Sequence, residues 1–537
     1  MESIGRRVAT LAQQRPDAVA YHAGGSALDW SGYDAAATAF AALLCSRLEP
    51  ARGERVAILL PDGPGVHVAL LGCERAGVAA VGIGPRAGLR EIEHLIRVSG
   101  ASCLVGRGEH QGHRMRDVVA GWRESGLALG HHVEIDGELR PGARLRVDGS
   151  PVDLGSDGSV PSPDRALRPD EIFLINSTSG TTGMPKCVIH DQARWHAFHR
   201  FAVRNGRLSA DDVFMSVVPA PFGFGIWTSH VTPTLLGVPT VVMPRFEAAE
   251  ALDLIERLRV SVLAAVSTQF ILMLEAADTR ERDLSSLRVL FTGGEAVPYA
   301  RAAAFEEATG AAVLQFYGSN ETGAVSGTSV DDSREKRLRT AGRPIPEMQV
   351  RLFDEYGADV THTGAGQPGC KGPTLSRGYF GASDEVARAN AALMRPDGWM
   401  LLGDRVEIDA DGYLSVVGRI DDFIIRGGKN VSGPGVEEQV ATHPAVALAA
   451  AVAMPDPIFG ERVCVYVELR PGFAGLELGD LIRHLAEREV SKESWPERIV
   501  VVDELPRGSG GKIAKQSLRD DIRRRLEVEA RDAATKR

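Results

Sequence analysis

One ten-residue run limits this 537-residue chain more than any other: Ser177-Thr178-Ser179-Gly180-Thr181-Thr182-Gly183-Met184-Pro185-Lys186. Its two glycines allow backbone conformations and close approaches that side chains forbid. The hydroxyls and free amides are donors suited to phosphate oxygens, and Lys186 can place a point charge on terminal phosphates. A solvated Ser/Thr/Gly turn is the competing reading. The order of residues and the Pro-Lys ending argue against it. The run is not the GxxxxGK[ST] loop that opens a helix. Ile172–Ile175 before it and Cys187-Val188-Ile189-His190 after it are strand-like, so the sequence predicts a phosphate loop slung between two strands.

Around the loop the chain alternates apolar runs with helical periodicity. Arg55–Leu60 and Val78–Ile83 are strand-like and bracket a helical stretch, Gly65–Ala76. Val213–Val218, Val238–Met243, Val262–Val266, Val289–Phe291 and Ala312–Phe316 are further short strands, separated by helical segments such as Ala248–Arg259 and Pro298–Thr309. Alternation of this kind predicts α/β architecture with helices packed on parallel sheets. Residues 138–169, rich in Pro, Gly, Asp and Ser, are expected to be loops and turns. After about residue 345 the pattern shifts to short strands and many turns. A charged step, Arg419-Ile420-Asp421-Asp422, precedes a final compact segment. Domains run about 50–250 residues, so two or more folding units are expected, and the charged step places the boundary between 1–420 and 421–537.

Composition excludes some function classes. Net charge is −10 with no basic block, which argues against nucleic acid or an anionic membrane as the main partner. The six cysteines show no CxxC spacing and read as reduced thiols in a cytoplasmic protein. The N-terminus lacks an apolar signal core, and Ala445–Met454 falls far short of the roughly 20 residues that span a bilayer. Eight lysines stand against 53 arginines, so a lysine inside a tight motif is unusually informative. The arginine and alanine richness is compatible with a high-GC genome and secondary metabolism.

With its loop, the chain resembles the adenylate-forming superfamily of acyl-CoA synthetases, firefly-type luciferases and peptide-synthetase adenylation domains. Gln315-Phe316-Tyr317-Gly318-Ser319-Asn320-Glu321-Thr322 is similar to the family's aromatic-Gly-x-Thr-Glu segment. The resemblance implies that Tyr317 stacks on adenine, that Asn320 in place of Thr donates to the α-phosphate, and that Glu321 holds Mg²⁺. Thr292-Gly293-Gly294-Glu295 would approach adenine and the acyl group. Asp404, after Gly403, would accept the ribose hydroxyls beside Arg419, with Leu402 replacing the usual Thr. Lys512, in Gly511-Lys512-Ile513-Ala514-Lys515, would bridge the attacking carboxylate and the α-phosphate. Gly427-Gly428-Lys429 would line the thiol tunnel after rotation about a hinge at Asp421. Ser432-Gly433-Pro434-Gly435-Val436-Glu437 departs from the family's Ser-Pro-x-Glu-Val-Glu.

The implied fold is a large N-terminal domain of doubly wound sheets with a small distorted barrel, joined to a small mobile α+β C-terminal domain. The implied substrates and cofactors are a carboxylic acid, ATP giving AMP, Mg²⁺ and CoA. The acid pocket is placed at Phe222, Gly223, Phe224, Gly225, Ser267, Thr268, Thr292 and Ala324, with Phe222 where the family often carries a gating His. The region shows no evident Arg or Lys for a second carboxylate and no Asp anchor for an amino acid, which favours a hydrophobic or aromatic monoacid. Three readings stand at this point: an acyl- or aryl-CoA ligase, an enzyme loading a carrier-protein thiol, and a homologue that only transfers a supplied adenylate. A homodimer is compatible with all three.

Overall fold

A computed structural model describes the chain except residues 156–159, 178–183, 277–281, 296, 421–422, 427–428, 457–459, 489, 509–511 and 536–537. Two nine-stranded sheets form its larger part. The first has six parallel strands, running from Ala312–Ser319 through Val289–Gly293, Val262–Ala264, Phe214–Ser216 and Thr240–Val242 to Val19–Ala23. In the second, Ile172–Ser177, Ala79–Gly82, Arg55–Leu59, Cys103–Gly106 and His131–Ile135 are parallel, with antiparallel strands on both flanks. These are buried β-branched runs, as helices covering both faces of a parallel sheet require. The doubly wound expectation is met.

One expectation fails. Within residues 138–169, Arg144–Val147 and Ser150–Asp153 form an antiparallel hairpin. Its turn, Asp148-Gly149, has positive φ at both positions, the geometry a two-residue hairpin needs. Leu145 and Val152 point inward while arginines alternate outward. Polar composition masked a period-2 pattern.

A five-stranded antiparallel sheet containing Gln349–Phe353, Ala365–Lys371, Asp404–Ile408 and Leu414–Arg419 stands where the small barrel was expected. The last sheet joins Lys429–Ser432, Phe423–Arg426, Gly460–Leu469 and Val446–Asp456, with Arg498–Val502 parallel to Gly460–Leu469. The sequence departure at Gly433-Pro434-Gly435 is a helix start. Ser432 caps the helix Gly433–Val440 by accepting from the Gly435 N–H, and Pro434 occupies its first turn, where a missing N–H costs nothing.

The C-terminal sheet packs on the first large sheet's helices. Arg301, in the helix Tyr299–Thr309, donates to the Val446 carbonyl at 2.9 Å and pairs with Glu275 at 2.8 Å. Glu275 also meets Arg470 at 3.3 Å. This contact carries the C-terminal segments up to the edge where the large-sheet strands end.

Candidate active site

The strands flanking the expected phosphate loop pair antiparallel, with Ser177 opposite Cys187 and Asn176 opposite Val188. Thr178, Ser179, Gly180, Thr181, Thr182 and Gly183 lie outside the described residues. At the loop's entry the Ser177 hydroxyl is buried with no hydrogen-bond partner among the described residues. An orphaned buried hydroxyl costs free energy unless a ligand satisfies it. At the exit, the Lys186 ammonium lies 5.0 Å from the centre of the Tyr379 ring. The Tyr379 hydroxyl donates to Glu321 Oε1 at 2.8 Å. Tyr379 thus separates the loop's cation from the candidate metal carboxylate. The strand Tyr379–Phe380 pairs with the loop's exit strand at Val188, which holds it there.

Glu321 sits on a tight turn between the strands Ala312–Ser319 and Gly323–Gly327. Ser319 Oγ accepts from the Glu321 and Thr322 N–H groups, and the Glu321 carbonyl accepts from the Ser376 N–H at 2.7 Å. At Gly318 a Cβ would lie 1.8 Å from the Gly323 carbonyl oxygen, so no side chain fits there. Among the described residues no group of three or more His, Cys, Asp or Glu side chains is placed to hold a metal. A single carboxylate suits Mg²⁺, which keeps waters and takes phosphate oxygens alongside one or two protein ligands.

Asp404 and Arg419, the expected ribose contacts, form one wall of the candidate site and stand opposite each other in adjacent strands. Asp404 Oδ2 accepts from the Tyr317 hydroxyl at 2.8 Å, and Arg419 Nε stands 3.8 Å from Oδ1. Burial, reinforced by Asp404, pushes the Tyr317 phenol well above its ordinary value. Leu402, the departure from Thr, is buried and packs in the core.

Lys512 reaches this wall from the C-terminal segment. Pro506–Gly508 and Lys512–Ala514 lie against each other, with Gly508 N–H donating to the Lys512 carbonyl and Ala514 N–H to the Pro506 carbonyl. The Lys512 ammonium ends 2.9 Å from where a Cβ on Gly294 would be. Burial lowers its pKa; Glu295, and to a lesser degree Asp404 and Glu321, oppose that, while Arg419 adds to the lowering. Glu295 is itself pushed up by burial, against Lys512 and the Thr268 N–H. Residues from four separate motifs therefore share one electrostatic environment.

Of the expected acid-pocket residues, Thr268 turns to Glu295, its N–H and hydroxyl 3.3 and 3.4 Å from Oε1. Thr292 is buried with its hydroxyl unpartnered among the described residues, and Ser267 opens the helix Ser267–Glu275. The Ala324 carbonyl accepts from Thr374 Oγ1. Phe222 is half-buried and precedes Gly223–Gly225, which leads into a π-helical turn, Ile226–Val231. Gly223 lies under Asn320, whose Oδ1 is 2.8 Å from a Cβ built there. Phe224 meets Phe316 edge-on at 4.8 Å, and Trp227 meets Phe316 at 5.2 Å and Phe291 at 5.3 Å. Sequence reasoning missed Trp227, although its i,i+3 spacing from Phe224 in a helical run was a usable signal. Tyr379 carried no local signal. Gly427, Gly428 and Asp421 lie outside the described residues; Lys429 opens the strand Lys429–Ser432.

Residues 8–380 match the AMP-binding enzyme family and residues 435–512 match the AMP-binding enzyme C-terminal domain. The chain is 29% identical over 505 residues to a medium-chain fatty-acid–CoA ligase of Escherichia coli (strain K12), covering 94% of this chain and 87% of that protein. It is 31% identical over 530 residues to a 2-hydroxy-7-methoxy-5-methyl-1-naphthoate–CoA ligase of Streptomyces carzinostaticus, covering 96% and 92%. Its fold matches that of ATP-bound MatB from Rhodopseudomonas palustris with a TM-score of 0.80 at 23% identity, covering 96% and 98%. The composite site and these matches agree: the chain belongs to the AMP-binding, adenylate-forming enzyme family.

Proposed function

We propose that this enzyme converts a hydrophobic, aromatic carboxylic acid to its acyl-CoA through an acyl-adenylate, with Lys512 as the residue that drives the first step. The observation that carries this reading is the Lys512 ammonium beside Gly294, in one field with Glu295, Asp404 and Glu321. An acid oxygen attacks the α-phosphorus of ATP, the bond to the β-phosphate oxygen breaks, and pyrophosphate leaves. Lys512 faces the charge that develops on the transferring group, and Lys186 faces the departing phosphates. Fixed cations of this kind supply most of phosphoryl-transfer catalysis. Glu321, steadied by Tyr379, would hold Mg²⁺, which when bound neutralises phosphate charge. Tyr317, Asp404 and Arg419 orient the nucleoside.

The second step needs a different arrangement. Division near Asp421, with 1–420 holding acid and ATP and 421–537 turning as a unit, would withdraw Lys512 and bring Gly427-Gly428-Lys429 to the adenylate. The CoA thiolate then attacks the acyl carbon and AMP leaves. Hinges of this type absorb the change in a few residues. The Phe224, Trp227 and Phe316 rings support an aromatic acid, as does the similarity to a naphthoate ligase. Among the described residues no helix is long and apolar enough to cross a membrane, in keeping with small-molecule chemistry in the cytoplasm.

The test is ATP–pyrophosphate exchange and CoA-thioester formation, run separately over a panel of aromatic and aliphatic acids. Both activities with one aromatic acid are expected. Exchange without CoA product points to a carrier-protein thiol. CoA product only from supplied adenylate refutes the adenylating role.

A further inference from the structure

A buried polar chain lies behind the site, and apart from Asn320 its side chains have no part in the roles above. Arg194, in the helix Gln192–Gly206, is 2% exposed. Its guanidinium donates from Nε to the Thr374 carbonyl at 2.8 Å and from Nη2 to the carbonyls of Asn320 and Glu321 at 3.1 and 3.4 Å. From Nη1 it reaches His190 Nδ1 at 2.6 Å. A guanidinium only donates, so His190 Nδ1 must accept and its proton sits on Nε2. Burial and Arg194 keep that imidazole neutral. His190 Nε2 then donates to Asn176 Oδ1 at 2.6 Å.

Asn176 is saturated. Its Oδ1 also accepts from Asn320 Nδ2 at 2.6 Å, and its Nδ2 faces the Pro221 carbonyl at 2.9 Å and Asn320 Oδ1 at 3.3 Å. The order of donors therefore runs one way, from Arg194 through His190 to Asn176, and fixes which end of each amide faces which. Its members come from the strand entering the phosphate loop, the strand leaving it, the Glu321 turn and the acid-pocket segment. Satisfied buried networks of this type hold a single geometry.

We propose that Arg194 and His190 are positioning residues that, through Asn176, lock the Asn320 carboxamide at the junction of the acid pocket, the loop and the Glu321 turn. The second N–H of Asn320 is then a donor of fixed direction for an oxygen of the acid or of the α-phosphate. The inference rests on the adenylating role proposed above. It also explains the departure from Thr at this position: an amide can be gripped at both ends by Asn176, which a hydroxyl cannot.

The test is a double-mutant cycle of His190→Phe with Asn320→Ala, read in two ways: the exchange rate, and the dissociation constant for ATP with Mg²⁺ by calorimetry. With Asn320 present, His190→Phe should lower exchange by about tenfold, the scale of one oriented hydrogen bond to a charged group. In the Asn320→Ala background it should cost less than about twofold. Arg194→Lys keeps the charge but loses the planar fork; it supplies a second cycle should His190→Phe not fold. Coupled losses in either cycle support the proposal. Losses that multiply independently, or that track only a lowered melting temperature, overturn it. Should no acid support exchange, the adenylating role fails by itself, while the calorimetric cycle still decides on the chain.

Discussion

Gly294→Ala separates folding from catalysis at this site. Gly294 has φ +80°, where a Cβ costs about 1–2 kcal/mol. Its new methyl carbon would stand 2.9 Å from Lys512 Nζ. Carbon and nitrogen without a hydrogen bond need roughly 3.4 Å or more, so the ammonium must retreat by about 0.5 Å. That retreat is cheap for stability, because Nζ is the free end of a flexible chain. It is costly for catalysis, because displacing a charge-stabilising group by about 1 Å can lose about 100-fold. The expected variant folds with a stability loss of about 1–2 kcal/mol, yet adenylates about 10- to 100-fold more slowly. Exchange assays, thioester formation from supplied adenylate and urea unfolding measure the three quantities. Exchange within twofold of the parent would refute the placement of Lys512, and so would an equal fall in both half-reactions.

Other perturbations follow from the same geometry. Tyr379→Phe removes the donor to Glu321 and should raise the Mg²⁺ concentration for half-maximal exchange by about tenfold, with the melting temperature little changed. Trp227→Ala should cost about 3–5 kcal/mol in unfolding free energy, measured by urea unfolding, and shift the accepted acids toward bulkier ones, measured on the acid panel. Asp62, buried beside the Ala220 and Gly63 N–H groups, has its pKa raised by burial to about 7. The folded state then binds more protons than the unfolded one, so this stabilisation is complete below the ordinary carboxylate range and is lost as pH rises through about 7. Asp62→Asn should flatten the fall in stability between pH 5 and 8, by a few kcal/mol at most; an unchanged slope in denaturant titrations would exclude Asp62 as its source.

The chemistry-bearing motifs are legible because each is short and local. Ser177–Lys186 between two β-branched runs announces its strand–loop–strand setting, and Lys512 stands out in a lysine-poor chain. The large sheets follow from the same alternation. What is not legible is whatever tertiary packing brings together. Arg194 looks like a surface residue of an amphipathic helix, yet it is buried because three carbonyls and an imidazole satisfy its donors. Tyr379 matters only because its strand pairs beside the loop. The Arg144–Asp153 hairpin hid because its outward arginines and Asp-Gly turn resemble loop composition. Thr268, expected in the acid pocket from the family resemblance, hydrogen-bonds Glu295, a contact that only the fold reveals.

The central claim is that Lys512 belongs to the adenylating arrangement alone. Measuring both half-reactions in Lys512→Ala tests it most directly. Exchange should fall by about 100-fold or more, the scale for removing one fixed charge from a transferring group, while CoA-thioester formation from supplied adenylate stays within a few-fold of the parent. Equal loss of both half-reactions, or retained exchange, would contradict the account.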